Sequence, residues 1–157
     1  MEENEVLKNG FELKGRENRY VIEGVLGQGA FGITYIAKGW LKVTGSLGDD
    51  IVEAPVAIKE FFVGSMNMGR DASGFVQQTT KGGLAWRYAE RFKTEALNLA
   101  KLQHENIVRV IDFIEANGTY YYAMRFVEGD SLDDYLKKKG PLSETEALQY
   151  IQQSGAA

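Results

Sequence analysis

The chain has 157 residues, 44% hydrophobic and 25% charged, a balance that suits one globular domain with a single core. With 18 basic against 22 acidic side chains the net charge is -4, so no global field draws nucleic acid or an anionic membrane, and neither partner is expected. Zero cysteines and a single histidine, His104, exclude disulfides, thiolate metal sites and histidine clusters.

The chain opens on Met1-Glu2-Glu3-Asn4-Glu5, acidic where a signal peptide is basic, and no apolar run approaches the roughly 18 residues that span a bilayer. A cytoplasmic location is the expectation. Residues 20–26 and 33–38 are rich in β-branched and aromatic residues and predict two strands, joined by Gly27-Gln28-Gly29-Ala30-Phe31-Gly32. In a dinucleotide-binding unit this glycine spacing opens a helix; here Ile33-Thr34-Tyr35-Ile36-Ala37 follows, so the motif is the turn of a hairpin. Glycines let the turn's N–H groups close on a phosphate, although ligand-free glycine turns are common and the motif is weak alone.

Val56-Ala57-Ile58-Lys59 is a short apolar run carrying one cation. Alternation along a strand sends Ala57 and Lys59 to one face and Val56 and Ile58 to the other. That surface either accepts a flat base over Ala57 with an ammonium beside it, or carries an edge lysine that reaches water. The flanking segments 39–55 and 63–85, rich in Gly, Ser, Asn, Asp and Thr, read as long loops with short strand pieces at Ile51-Val52 and Phe75-Val76. The second is either a flexible tether for the helix after it or tolerated surface length.

Residues 86–103 have helical composition, with Phe92, Leu99 and Leu102 marking an apolar stripe. Glu95 falls within that stripe, so its carboxylate points toward the core side and needs a partner. Lys59 is the candidate; the alternative is a glutamate at the stripe's edge that reaches solvent. His104 reads as a structural loop residue. Residues 107–114 and 119–127 predict two strands around Asn117-Gly118, a type I′ turn sequence. Gly129-Asp130 breaks the sheet, residues 131–139 form a short helix with Leu132, Tyr135 and Leu136 apolar, and Gly140-Pro141 ends it. Ser143 and Glu146 have capping-box spacing for a further helix with Leu148 and Ile151 on one face.

With these elements in order, the chain resembles the N-terminal lobe of a protein kinase and is most similar to the bacterial serine/threonine kinases. The residues that carry the resemblance are Leu26-Gly27-Gln28-Gly29-Ala30-Phe31-Gly32-Ile33-Thr34-Tyr35, Ala57-Ile58-Lys59-Glu60-Phe61-Phe62 and His104-Glu105-Asn106-Ile107-Val108. It implies an α+β fold, with a five-stranded antiparallel sheet and one packed regulatory helix over residues 1–127. The hinge and first helices of an absent C-lobe would occupy residues 128–157. It also implies ATP as ligand, with Gly27, Gln28, Gly29, Ala30, Phe31 and Gly32 over the phosphates, Lys59 on the α- and β-phosphates, and Glu95 holding Lys59. By the same resemblance Leu26 and Ala57 cover the base and Met124 is the gatekeeper. Arg125 to Val127 form the hinge, in which Arg125 and Val127 lie beside adenine, and Ser131 sits at the ribose. Thr34 stands where the family signature has valine, and Glu105 where the family often has proline.

The parent reaction would transfer the γ-phosphate of ATP to serine or threonine of a protein substrate. The motifs H-R-D-x-x-x-x-N and D-F-G, which supply the catalytic aspartate and the magnesium ligands, do not occur in these 157 residues. Magnesium is therefore expected only with the missing lobe, ATP binding should be weak, and the chain alone should not transfer phosphate. The alternative is a truncated, non-catalytic nucleotide-binding module, or an interaction module that regulates another kinase. Leu132, Leu136, Leu148 and Ile151 would form part of an exposed surface meant for the C-lobe, which a homodimer would cover.

Overall fold

The computed structural model describes residues 5–66, 68–77 and 83–157. The acidic start at residues 1–4 and residues 67 and 78–82 of the second glycine-rich segment lie outside the described residues. In chain order the elements are β1 (Glu12–Lys14), β2 (Arg19–Gly29), β3 (Gly32–Gly45), β4 (Gly48–Phe61), β5 (Gly69–Arg70) and β6 (Val76–Gln77). Helix α1 (Leu84–Lys101), strands β7 (Val110–Ala116) and β8 (Thr119–Arg125), and helices α2 (Leu132–Lys139) and α3 (Glu144–Ala156) complete the chain.

Six strands form one sheet in the order β1-β2-β3-β4-β8-β7, with antiparallel pairing throughout. The five expected strands are all present, and the sixth, β1, is an edge strand of three residues, too short to show a periodicity. The sheet curls until its ends meet: the Tyr20 hydroxyl and the Asn18 amide both donate to Asp112 Oδ2, at 3.0 and 3.1 Å. A Cβ on Gly15 would overlap that carboxylate, so the seam requires glycine there. Inside the curl Tyr20, Ile22, Ile33, Tyr35, Val56, Ile58, Tyr121 and Ala123 are fully buried.

Helix α1 packs on the opposite face of the sheet, where Phe92 meets Phe61 and Tyr122 at ring separations of 5.6 and 5.1 Å. Its buried residues are Ala85, Ala89, Phe92 and Ala96. Small side chains let the helix backbone approach the strands, so alanines line the packed face. Leu102, expected on the stripe, is instead the C-cap residue and stays 47% exposed.

Segment 39–55 is not a loop. β3 and β4 remain paired from Gly32↔Phe61 to Gly45↔Gly48, so Ile51 and Val52 belong to a long ribbon rather than a short strand piece. Cross-strand pairs such as Leu41↔Val52 stabilise it, as do contacts of Lys42 with Glu17 at 2.8 Å and Asp49 at 3.1 Å. The loop-like composition belongs to the turn, where Gly48 takes a φ of 113°.

In the second segment, a 3-10 turn at Gly64–Met66 and the small β5-β6 pair precede α1, which begins at Leu84. Val76 donates to the Asn117 carbonyl at 2.7 Å, fastening this segment to the β7-β8 turn. Asn117 and Gly118 have φ of 51° and 72°, the positive values a type I′ turn requires. β7 starts later than expected, at Val110, and β8 ends at Arg125. Ser131 caps α2 and Ser143 with Glu146 forms the capping box of α3. Neither helix buries a residue, and Leu132, Leu148 and Ile151 are 47%, 50% and 66% exposed.

Candidate functional site

The glycine loop ends β2 and begins β3. Two register shifts in β2, between Ile22 and Gly24 and between Val25 and Gly27, insert Glu23 and Leu26 as bulge residues that bend the strand toward the turn. Leu26 is consequently half exposed beside the loop. The three motif glycines serve different needs. At Gly32 a Cβ would overlap the Glu60 carbonyl of β4, so close strand approach demands glycine. At Gly27 a Cβ would meet nothing within 4 Å, and at Gly29 only the Gly32 carbonyl at 4.0 Å; neither has a positive φ. Among the described residues no protein contact explains those two, and the space a side chain would fill there is open. Gln28, Ala30 and Phe31 are exposed around it, and Thr34 pairs with Lys59 in the β3-β4 register.

Lys59 projects from β4 on the face that α1 covers, and Glu95 meets it from α1, Nζ to Oε1 at 3.5 Å. The Tyr122 hydroxyl donates to the same Oε1 at 3.3 Å. The ammonium lies 5.7 and 5.9 Å from the ring centres of Tyr122 and Phe92, an aromatic floor that limits its freedom. Desolvation pulls the Lys59 pKa down, and Tyr122 and Glu95 together more than offset it, holding the group above its ordinary value. Glu95 is not on the core side as the stripe suggested: its side chain is 53% exposed against 33% for Lys59, so the pair stands at the rim of the helix-sheet interface.

Ala57 is nearly buried and pairs with Met124 of β8, which is half-buried against the core. The strand register thus puts Thr34 beside Lys59 and Ala57 beside Met124. The Arg125 N–H donates to the Arg109 carbonyl at 3.1 Å, while Val127 is 63% exposed. Ser131 Oγ accepts from the Asp134 N–H at 3.1 Å and donates to Asp134 Oδ2 at 2.6 Å, so its hydroxyl is engaged at the start of α2. His104 Nδ1 accepts from the Asn106 N–H at 3.0 Å, the structural role expected of it. Among the described residues no group of three His, Asp or Glu could hold a metal ion, and no helix is long and apolar enough to cross a membrane.

One feature escaped the sequence reading. Glu60, next to Lys59 but on the inner face, is completely buried and accepts from the Tyr35 hydroxyl and Arg70 Nη2, both at 2.7 Å. The Arg70 side chain is 3% exposed, and its other N–H groups hold the carbonyls of Glu5 at 3.1 Å and Gly74 at 2.9 Å. One guanidinium thus ties β4 to the N-terminal segment and to the turn after β5. Nothing in the spacing of Glu60 and Arg70 announces the pair; the only signal is a charged residue at a position that strand alternation assigns to the core.

Residues 72–157 match the model of the protein kinase domain, just over half of the chain, and the chain belongs to that family. Over 135 residues, 86% of its length, it is 30% identical to the serine/threonine-protein kinase PrkC of Bacillus subtilis, of which the match covers 17%. It is 39% identical over 70 residues, 45% of the chain, to the serine/threonine-protein kinase PknH of Mycobacterium bovis, covering 12% of that protein. Among solved structures, the apo form of PpkA-294 superposes with a TM-score of 0.66 at 25% identity, covering 86% of this chain and 43% of that one. The kinase domain of Mycobacterium tuberculosis PknI shares the fold, with a TM-score of 0.60 at 20% identity over 95% of this chain and 48% of that one. The chain therefore spans about a sixth or less of the length of these curated relatives and under half of the kinase structures.

Proposed function

We propose that this chain is the ATP-binding lobe of a serine/threonine protein kinase, residues 1–127 forming the lobe and 128–157 the hinge and the start of the second lobe. The observation that carries the reading is the pairing of Lys59 with Glu95 at 3.5 Å behind a glycine loop whose Gly27 and Gly29 leave an open cradle. The loop's N–H groups would receive the phosphates, Lys59 would bond the α- and β-phosphate oxygens, and Glu95 would keep its ammonium aimed at them. Leu26 and Ala57 would enclose adenine, with Met124 at the back and Arg125 and Val127 at the edge; Thr34 would pack beneath. Ser131 would lie near the ribose, its hydroxyl shared with Asp134. ATP supplies the phosphoryl group, and magnesium would join with residues of a second lobe.

Without H-R-D and D-F-G residues this chain would bind nucleotide weakly and transfer no phosphate. Calorimetric titration with MgATP should give a dissociation constant between about 10 μM and 1 mM, roughly 4 to 7 kcal/mol, weakened further in Lys59→Ala. No binding that Lys59→Ala alters would overturn the reading. A magnesium-dependent constant near about 1 μM would require a complete site, and so would turnover of radiolabelled ATP that vanishes in Lys59→Ala.

A further inference from the structure

The glycine loop is held at its tip by a contact that phosphate binding does not call for. Its turn is two residues long, Ala30 and Phe31, and Phe31 is the one large apolar side chain in the motif. The Phe31 ring lies on Tyr88 of α1, centroids 4.9 Å apart and planes 30° from parallel. The Arg91 guanidinium stands 5.7 Å from the centre of the same tyrosine ring. Phe31 remains 48% exposed, so general burial does not hold it in place; the stack does. Tyr88 precedes Glu95 by seven residues, two helical turns, which puts both on one side of α1. A single helix face thus meets the loop tip at one end and Lys59 at the other.

We infer that the Phe31-Tyr88 stack is a latch joining the glycine loop to α1, and that both are positioning residues for the nucleotide phosphates. The inference rests on the nucleotide reading of the loop. A swing of α1 away from the sheet would withdraw Tyr88 and Glu95 together, so the loop would lose its anchor in the same movement in which Lys59 loses its partner. By linkage, a phosphate that draws the loop closed favours the helix position that keeps Glu95 on Lys59. A stacked aromatic pair of this kind supplies coupling of roughly 2- to 10-fold.

The chain has no cysteine, so a spin label on Ala30→Cys reports the loop tip alone. Tyr88→Leu, which keeps apolar volume and removes the ring, should raise the mobile fraction of the label roughly 2- to 10-fold and weaken MgATP by a similar factor. Tyr88→Phe keeps the ring and should leave both readouts at wild-type values. Should Tyr88→Leu not fold, Phe31→Leu at the exposed tip carries the same expectations. A label equally immobile with and without the ring overturns the latch, whether or not nucleotide binds. A loosened label with unchanged nucleotide affinity overturns the coupling. If the label loosens as expected and no variant, nor the wild type, binds nucleotide, the latch stands and the failure belongs to the ATP reading.

Discussion

Lys59 and Glu60 are neighbours on one strand, yet their ion pairs are opposites. The Glu60-Arg70 pair is sealed inside the curl, with side chains 0% and 3% exposed, and each of the three guanidinium nitrogens donates to a protein oxygen. The Lys59-Glu95 pair stands at the rim with a third to a half of each side chain in solvent, and Glu95 shares one oxygen between an ammonium and a phenol. A strand's alternation, applied to consecutive charged residues, has separated a brace from a grip. Burial decides which is which: the sealed pair cannot reach a ligand, and the rim pair contributes little to stability because water competes for both partners.

Stability measurements can break that contrast. In urea unfolding, Arg70→Met should cost about 3–5 kcal/mol because it strands a buried carboxylate, whereas Lys59→Met should cost less than about 1 kcal/mol. Glu60→Leu combined with Arg70→Met should recover at least about 2 kcal/mol of the loss, although the Glu5 and Gly74 carbonyls still lose their donor. Equal costs for Arg70→Met and Lys59→Met would remove the distinction.

The glycines sharpen it at a smaller scale. Gly32→Ala drives a methyl group into the Glu60 carbonyl and should cost about 1–3 kcal/mol, while Gly27→Ala should leave stability within about 0.5 kcal/mol. Thermal unfolding of the two variants side by side is the check, and nucleotide titration of Gly27→Ala should show weaker binding despite its intact fold.

The smallest effect per residue is in the tyrosines. Burial and the Glu60 charge push the Tyr35 and Tyr121 phenols up, whereas at Tyr122 burial raises the pKa and the Lys59 ammonium opposes it. Tyr122 should therefore ionise at lower pH than Tyr35 and Tyr121, and the difference between the absorbance titrations of the native protein and of Tyr122→Phe should isolate that step. A phenol whose folded pKa lies above its unfolded value of 10.0 keeps its proton in the native state while the unfolded chain releases it. Stability is thus complete below pH 10 and falls as pH rises toward the folded pKa, by roughly 1 kcal/mol at pH 11 for each of Tyr35 and Tyr121.

Much of the lobe was legible because its signals are local. The hairpin around Gly27 to Gly32, the face shared by Ala57 and Lys59, the Asn117-Gly118 turn and the Ser143 capping box each rest on spacing within a few residues. Lys59 and Glu95 pair through the kinase pattern and a helix stripe of which Phe92 and Leu99 do pack on the core, while Leu102 falls away and Ala85, Ala89 and Ala96 complete the contact. What stayed hidden depends on distant partners. Arg70 sits in a glycine- and serine-rich stretch that reads as loop, and besides the nearby Gly74 carbonyl its partners come from the distant N-terminal segment and β4. The far half of the β3-β4 ribbon, residues 39–55, reads as loop in the sequence for a related reason: its polar residues pair across the strands, as Thr44 does with Asp49 at 2.8 Å, and composition cannot display a cross-strand partner.

The seam at Asp112 sets a timetable. Its partner Tyr20 lies 92 residues earlier in the chain, so at ordinary synthesis rates of about 5–20 residues per second the inner surface waits roughly 5 to 20 s for the carboxylate that closes it. Through that interval β2, β3 and β4 have been made, while β8, which shields one edge of β4, has not. The nascent chain therefore carries an open β4 edge that includes Ile51, Val52, Val56 and Ile58, and this is the stage at which wrong strand pairing has its best opportunity.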